Sequence, residues 1–261
     1  MSRIVEVKEH NRRFITEQLE ADVIRHIFAY YDIQFDPKHT VMYVALRDQR
    51  LRGYILIYMA LDHLSVVLEG DLEVARNLIE YAPEDKFVMH IPPALKSVVI
   101  DKFPSARCYV EDWMLVRMEN AHFYESNLVR RLRVEEDAKR LAALLSKWRK
   151  KLTPERCLSM IKKNPTFGVF VNDEIVSYAS SLLQLPQAWM IGGIYTHPKH
   201  RNRGYGTLAV SAITKEALKN AEATVLFVRS DNKPAIRVYG KIGYRKIRET
   251  IWIDVGTGTK P

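Results

Sequence analysis

His197-Pro198-Lys199-His200-Arg201-Asn202-Arg203-Gly204-Tyr205-Gly206-Thr207 is the segment on which the reading of this chain turns. It stands between an apolar stretch, Trp189–Tyr195, and a run with Leu208, Val210, Ile213, Ala217 and Leu218 at helical spacing, which predicts a helix from about Gly204 to Asn220. Two glycines two apart at a helix entrance let backbone N–H groups close around a phosphate, and the positive end of the helix dipole adds to the attraction. Arg201 and Arg203 place positive charge beside that cradle. The same letters also fit a plain helix cap. They fit as well the G-x-G-x-x-G/A dinucleotide fingerprint, as Gly204-Tyr205-Gly206-Thr207-Leu208-Ala209 with Asp231 as its acid. A dinucleotide fold needs several more parallel strands, and only one short helix and one strand remain after Asp231, which sets that reading aside.

Downstream lies Asn232-Lys233-Pro234-Ala235-Ile236-Arg237-Val238-Tyr239-Gly240-Lys241-Ile242-Gly243-Tyr244. Asn232 stands at a strand-to-helix junction, where an N-cap role is open to it. Tyr239 comes two helical turns later and shares a side with Asn232 and Ile236, as ordinary amphipathic packing would also place it. Gly243 is the expected helix terminator.

Around these segments, Arg131–Val134 reads as an extended entry and Glu135–Ser146 as an amphipathic helix. Thr153-Pro154-Glu155 opens a second helix, with Thr as N-cap and Pro at the first helical position, ending near Asn164-Pro165. Strands follow at Phe167–Val171, Ile175–Leu183 and Trp189–Tyr195, with Asn172-Asp173-Glu174 as a hairpin turn. Thr224–Arg229 is a buried strand, Lys233–Ile242 a short helix, and Tyr244–Asp254 an alternating strand. The first half repeats this order from its helices onward, ααβββαβαβ: helical stretches over roughly Asn11–Tyr31, strands at Val41–Leu46, Gly53–Met59 and Leu64–Leu68, helix over Asp71–Tyr81. It continues with strand Phe87–Ile91, short helix Pro93–Lys102 and strand Cys108–Arg117. The expectation is an α/β (α+β) protein whose mixed central sheet has helices on both faces, duplicated in architecture, with a linker near Glu119–Ser126. Residues 1–124 form one domain in this reading and 125–261 the other. The first half reads Leu68-Glu69-Gly70-Asp71-Leu72 where the second has its glycine-rich loop, so only the second carries the phosphate motif.

Together the two motif segments resemble the GCN5-related N-acetyltransferase (GNAT) superfamily. Its pattern is Arg/Gln-x-x-Gly-x-Gly/Ala followed by Asn-x-x-Ala-x-x-x-Tyr-x-x-x-Gly-Phe/Tyr. Here Arg201, Gly204 and Gly206 match the first part, and Asn232, Ala235, Tyr239, Gly243 and Tyr244 the second. The resemblance covers roughly residues 127–255, and the layout is similar to that of glycine N-acyltransferase-like and other tandem GNAT chains. It implies acetyl-CoA as cofactor, with its pyrophosphate on the N–H groups of Asn202, Arg203, Gly204, Tyr205, Gly206 and Thr207, beside Arg201. The pantetheine arm would pair with Ile194, Tyr195 and Thr196, where a bulge at Gly192-Gly193 helps open the sheet, and would hydrogen-bond Asn232. Tyr239 would be the general acid, and a neutral primary amine of a small molecule or peptide the nucleophile. Relatives often carry a Glu on the strand before the phosphate loop. Gln187–Thr196 has no carboxylate, and neither His197 nor Glu174 is a convincing base, so none is assigned. That gap leaves a second reading, a non-catalytic acyl-CoA-binding sensor or assembly module.

Composition fits a folded protein, with 47% hydrophobic and 27% charged residues. No apolar run is long enough to span a bilayer, and MSRIVEVKEHNRRF lacks the apolar core of a signal peptide, so no membrane partner and a cytoplasmic location are expected. The net charge of +9 suits an anionic partner such as a phosphate-rich cofactor. The basic runs Arg130-Arg131-Leu132-Arg133 and Lys147-Trp148-Arg149-Lys150-Lys151 have acids close by and read as solvated faces, not as a nucleic-acid surface. Cys108 and Cys157 lack metal-type spacing, so no metal is expected and two reduced thiols are. Neither the acceptor nor the oligomeric state is written in the sequence.

Overall fold

A computed structural model of the chain describes residues 2–84, 86–146 and 152–258. In chain order the first elements are β1 (Arg3–Glu6), α1 (Glu9–Glu20), α2 (Ile27–Phe35), β2 (Thr40–Arg47), β3 (Arg50–Tyr58), β4 (Leu64–Gly70), α3 (Leu72–Leu78), β5 (Phe87–Ile91), α4 (Lys96–Lys102) and β6 (Arg107–Arg117). Then come β7 (Val129–Arg131), α5 (Val134–Ser146), α6 (Pro154–Lys163), β8 (Thr166–Val171), β9 (Glu174–Gln184), β10 (Trp189–Thr196), α7 (Tyr205–Leu218), β11 (Ala223–Arg229), α8 (Lys233–Ile242) and β12 (Arg245–Val255). The expected elements are present with ends shifted by a few residues, and β1, which was not expected, adds an antiparallel edge to β2. Short strands of this kind carry too little alternation to be read from the letters.

Two compact units result, each drawn from more than one stretch of chain. Met1–Asp112, Arg229–Asp231 and Arg248–Pro261 make the first; Trp113–Val228 and Asn232–Ile247 make the second. In the first unit the strands run β1-β2-β3-β4-β5-β12. The β4–β5 pair is parallel, and β12 closes on β5 antiparallel, with Ile251 opposite Ile91 and Ile253 opposite Met89. Val74, Leu78 and Val99 of α3 and α4 bury against Ile55, Val66, Leu68, Phe87 and Ile253 on one face.

In the second unit the order is β6-β11-β10-β9-β8-β7. Ala209, Val210, Ile213 and Ala217 of α7 pack on one face with Val169, Ala179 and Ile191, joined by Tyr239 and Ile242 of α8. Leu141, Leu145 and Cys157 of α5 and α6 cover the other face with Ile175, Tyr178 and Tyr195. Full burial of each such aliphatic side chain is worth about 1.5–3 kcal/mol, so both faces of this sheet are strongly held. Local signals act as read: Thr153 caps α6 by accepting from the Arg156 N–H at 3.4 Å, with Pro154 next. Asn172 and Asp173, both at positive φ, make the two-residue turn joining β8 to β9.

The first basic run is engaged in ion pairs. Arg130 donates to the buried Asp137 at 2.6 and 3.0 Å, Arg133 lies 3.0 Å from Glu136, and Arg131 3.6 Å from Glu216. The second run, Lys147–Lys151, lies outside the described residues.

Candidate functional site

The parallel ladder between β10 and β11 is short. It pairs Trp189 with Thr224 and Met190 with Val225, and stops there. On its other edge β10 stays with β9 to the end, Tyr195 opposite Tyr178 and Thr196 opposite Ser177. The Ser177 hydroxyl reinforces this grip, lying 3.2 Å from the Tyr195 carbonyl and 2.8 Å from the Thr196 hydroxyl. The register shifts between Gly192 and Tyr195, and Gly193 sits at φ +59, so the glycine pair forms a bulge just where the strands part. A Cβ on Gly193 would meet the Tyr178 hydroxyl at 3.2 Å, and one on Gly192 would run into Leu182 at 2.4 Å. The last residues of β10, Ile194–Thr196, therefore lie beyond the point where the parallel ladder to β11 ends.

After that point the chain turns into α7. Gly204 is the N-cap, in the left-handed region at φ 81, with no side chain to cap the helix. Asn202 is also left-handed, at φ 60. The first N–H to find a backbone acceptor is that of Leu208, bonded to Gly204 at 3.1 Å. Among the described residues no acceptor meets the N–H groups of Asn202 through Thr207. Consecutive donors converging at the positive end of a helix form an anion cradle. Arg201 is turned back, its Nε donating to the Thr196 carbonyl at 3.2 Å, and so ties the loop to the strand end. A Cβ on Gly206 would lie 3.2 Å from the Thr196 hydroxyl, within the same narrow space.

Two tyrosines of the second segment differ in their bonding. Tyr244 is enclosed, hydrogen-bonded to Thr214 at 2.9 Å and Thr224 at 2.8 Å, and is structural. Tyr239 is 6% exposed, and no hydrogen bond among the described residues acts on its hydroxyl. Burial, with Tyr244 as a smaller cause, raises its pKa above the ordinary phenol value of about 10, so the group remains O–H at neutral pH. Asn232 does cap α8, its side-chain oxygen accepting from the Ala235 N–H at 3.3 Å. The amide nitrogen of the same side chain takes no part in this cap. Gly243 ends α8 at φ 106, and a Cβ there would strike the Asn120 carbonyl at 2.0 Å.

No base emerges beside β10. The Nδ1 of His197 accepts from the Lys199 N–H at 3.2 Å as cap of the Pro198–His200 turn, and Glu174 is an exposed first residue of β9. The first unit differs at the corresponding helix start. Asp71 caps α3, its carboxylate accepting from the Val74 N–H at 2.9 Å, so an acid of the chain itself stands where the second unit has bare donors. The β4–β5 ladder also runs longer, from Leu64–Phe87 to Val67–His90. Sequence reading had noted a missing glycine loop but not this carboxylate; an Asp followed three residues later by a helical N–H was the available signal.

Residues 166–253 match the family model described as FR47-like protein. No curated protein matches the chain. Among solved structures, a Drosophila protein is similar with a TM-score of 0.76 at 14% identity, over 99% of this chain and 100% of its own. A tandem GNAT protein from the clavulanic acid biosynthesis pathway, solved without AcCoA, gives 0.63 at 12% identity, over 99% and 100%. A GCN5-related N-acetyltransferase from Sphaerobacter thermophilus gives 0.62 at 14%, over 99% and 98%. Likeness at such identities is one of fold. The chain has the fold of the GCN5-related N-acetyltransferases, in the tandem layout.

Proposed function

We propose that the second unit is an N-acetyltransferase that moves the acetyl group of acetyl-CoA to a primary amine. The observation that carries this is the run of N–H groups from Asn202 to Thr207 facing no protein acceptor, at the foot of a gap between two parted parallel strands. In this reading those donors hold the pyrophosphate, with Arg203 adding charge and Arg201 fixing the loop. The backbone of Ile194–Thr196 lies along the pantetheine amides, and the Asn232 amide nitrogen donates to the same arm. Acetyl-CoA supplies the activated thioester. A backbone N–H of β10 polarises its carbonyl, the neutral amine forms the new C–N bond, and the C–S bond breaks as the Tyr239 hydroxyl gives its proton to the sulfur. The amine proton is released to solvent, and Tyr239 recovers one from it.

Two unpaired cysteines, Cys108 and Cys157, fit an enzyme of the reducing cytoplasm. The unassigned base favours an acceptor that is partly neutral at working pH. The test is release of free CoA thiol from acetyl-CoA across amino acids, polyamines and peptides. Binding of acetyl-CoA without turnover on any amine would replace the enzyme with an acyl-CoA sensor; no binding would remove both.

A further inference from the structure

The first unit, with its helix start closed by Asp71, keeps an open polar pocket elsewhere. A cavity of about 220 Å³ lies where the turn between α1 and α2 meets the start of β3 and the end of β4, lined by Arg25, His26, Arg52, Tyr54 and Glu69. Its charged floor is Glu69, whose side chain is 6% exposed. Arg25 donates to it through Nη2 at 3.0 Å, and the Nη1 of Arg248 lies 3.5 Å from the other oxygen. Arg248 also donates to the Arg25 carbonyl at 3.0 Å, which locks the two guanidinium-bearing segments together. One carboxylate thus stands between two guanidiniums, and its charge is compensated within the floor.

The rim is different. Arg52 comes only to within 3.9 Å of Asp71, beyond hydrogen-bond distance, and no other partner meets its guanidinium among the described residues. The Arg25 guanidinium makes the single Nη2 bond and keeps its other donors. The remaining acids nearby are occupied by backbone: Asp22 accepts from the Arg25 N–H at 3.0 Å and Asp71 from the Val74 N–H at 2.9 Å. His26 faces Tyr54, Nδ1 to hydroxyl at 3.1 Å. Burial and then Arg25 push its imidazole down to about 4, so it is uncharged at neutral pH and adds hydrogen-bonding capacity without competing charge.

We propose that this pocket binds a small oxyanion, a carboxylate or inorganic phosphate, held by the guanidiniums of Arg25 and Arg52. A pocket with more donors than acceptors selects an acceptor-rich ligand, and arginine forks match planar and tetrahedral oxyanions in bidentate fashion. Size narrows the class: at roughly 30 Å³ per water the cavity holds about seven waters, enough for phosphate or a short carboxylic acid and far too little for a nucleotide. The inference is independent of acetyl transfer by the second unit.

The test is calorimetric titration of the full chain with inorganic phosphate and, separately, with succinate, at constant ionic strength. Wild type is compared with Arg52→Gln and with Arg203→Gln, which alters only the cradle of the second unit. Arg25→Gln would take from the buried Glu69 its 3.0 Å charge-assisted partner and burden folding, so Arg52, on the rim, carries the experiment. A saturable component is expected for at least one probe that Arg52→Gln weakens roughly tenfold, the scale of one charge-assisted hydrogen bond, and that Arg203→Gln leaves unchanged, any phosphate held at the second unit's cradle being a separate component that only Arg203→Gln weakens. Which probe binds identifies the oxyanion. Absence of saturable binding for both, or equal binding to wild type and Arg52→Gln, overturns the proposal.

Discussion

Replacing Tyr239 with Phe removes one hydroxyl and almost no volume, at a position where no hydrogen bond among the described residues acts on that hydroxyl. The cost to folding should therefore lie within about 0.5 kcal/mol, the scale of a change that breaks no buried bond. If the hydroxyl delivers the proton to the departing sulfur, turnover should fall on the order of 10²–10⁴-fold, the worth of general acid catalysis. Acetyl-CoA binding should hold, because the cradle and Asn232 are untouched. Tyr244 supplies an internal contrast 6.1 Å away, ring to ring. Its hydroxyl joins Thr214 and Thr224, so Tyr244→Phe should destabilise by about 1–3 kcal/mol through unsatisfied buried hydroxyls and leave turnover per folded molecule near wild type. The assay is thiol release with any amine that supports turnover, paired with urea midpoints for both variants. Unaltered turnover in Tyr239→Phe would refute the assignment and leave transfer to proximity and carbonyl polarisation.

Three further outcomes are expected. Gly206→Glu should abolish acetyl-CoA binding with little loss of stability, since its Cβ needs only a small shift of the Thr196 hydroxyl while its carboxylate fills the cradle; calorimetry and a thermal melt report the two. Gly204 is the poorer target, because its φ of 81 would strain any side chain. Calorimetry should also find one acetyl-CoA site per chain, Asp71 blocking the counterpart in the first unit, and two equivalent sites would contradict this. Asp137 is buried, which opposes its charge, yet Arg130 and the Arg133 N–H at 2.7 Å hold its carboxyl below the usual range. Its contribution is thus present above the unfolded value of about 3.9 and lost as pH falls through the lower folded value. Asp137→Asn should cost on the order of 3 kcal/mol at pH 7, with that difference shrinking at pH 3, read by urea unfolding.

Much of the fold was legible because its cues are local. Thr153-Pro154 and Gly243 announce helix ends by backbone chemistry alone, and the apolar spacing of α7 is fixed by the face it buries. What pairs with β12 was not legible, because antiparallel partners depend on distant residues such as Ile91 and Met89. The glycine loop and the Gly192-Gly193 bulge could be seen since Gly204 and Gly193 take left-handed conformations that residues with a side chain seldom adopt. Tyr239 and Tyr244, by contrast, are the same letter; only the threonines that reach one and not the other separate them. The Arg25–Glu69–Arg248 cluster was invisible for the same reason, as ordinary polar residues whose meaning lies in what surrounds them.

The exchange of chain between the units has a consequence for how the molecule is made. β5 receives its antiparallel neighbour from Arg248 onward, after all of the second unit's helices have been synthesised. At the roughly 5–20 residues per second of ribosomal synthesis, the first unit waits on the order of ten seconds with an uncovered strand edge. An unpaired edge of that kind invites other strands, so nascent or truncated chains ending before β12 should be the aggregation-prone species in the life of this protein. Completion of the first unit then waits on synthesis of β12, and neither unit can be cut out as one uninterrupted piece of gene.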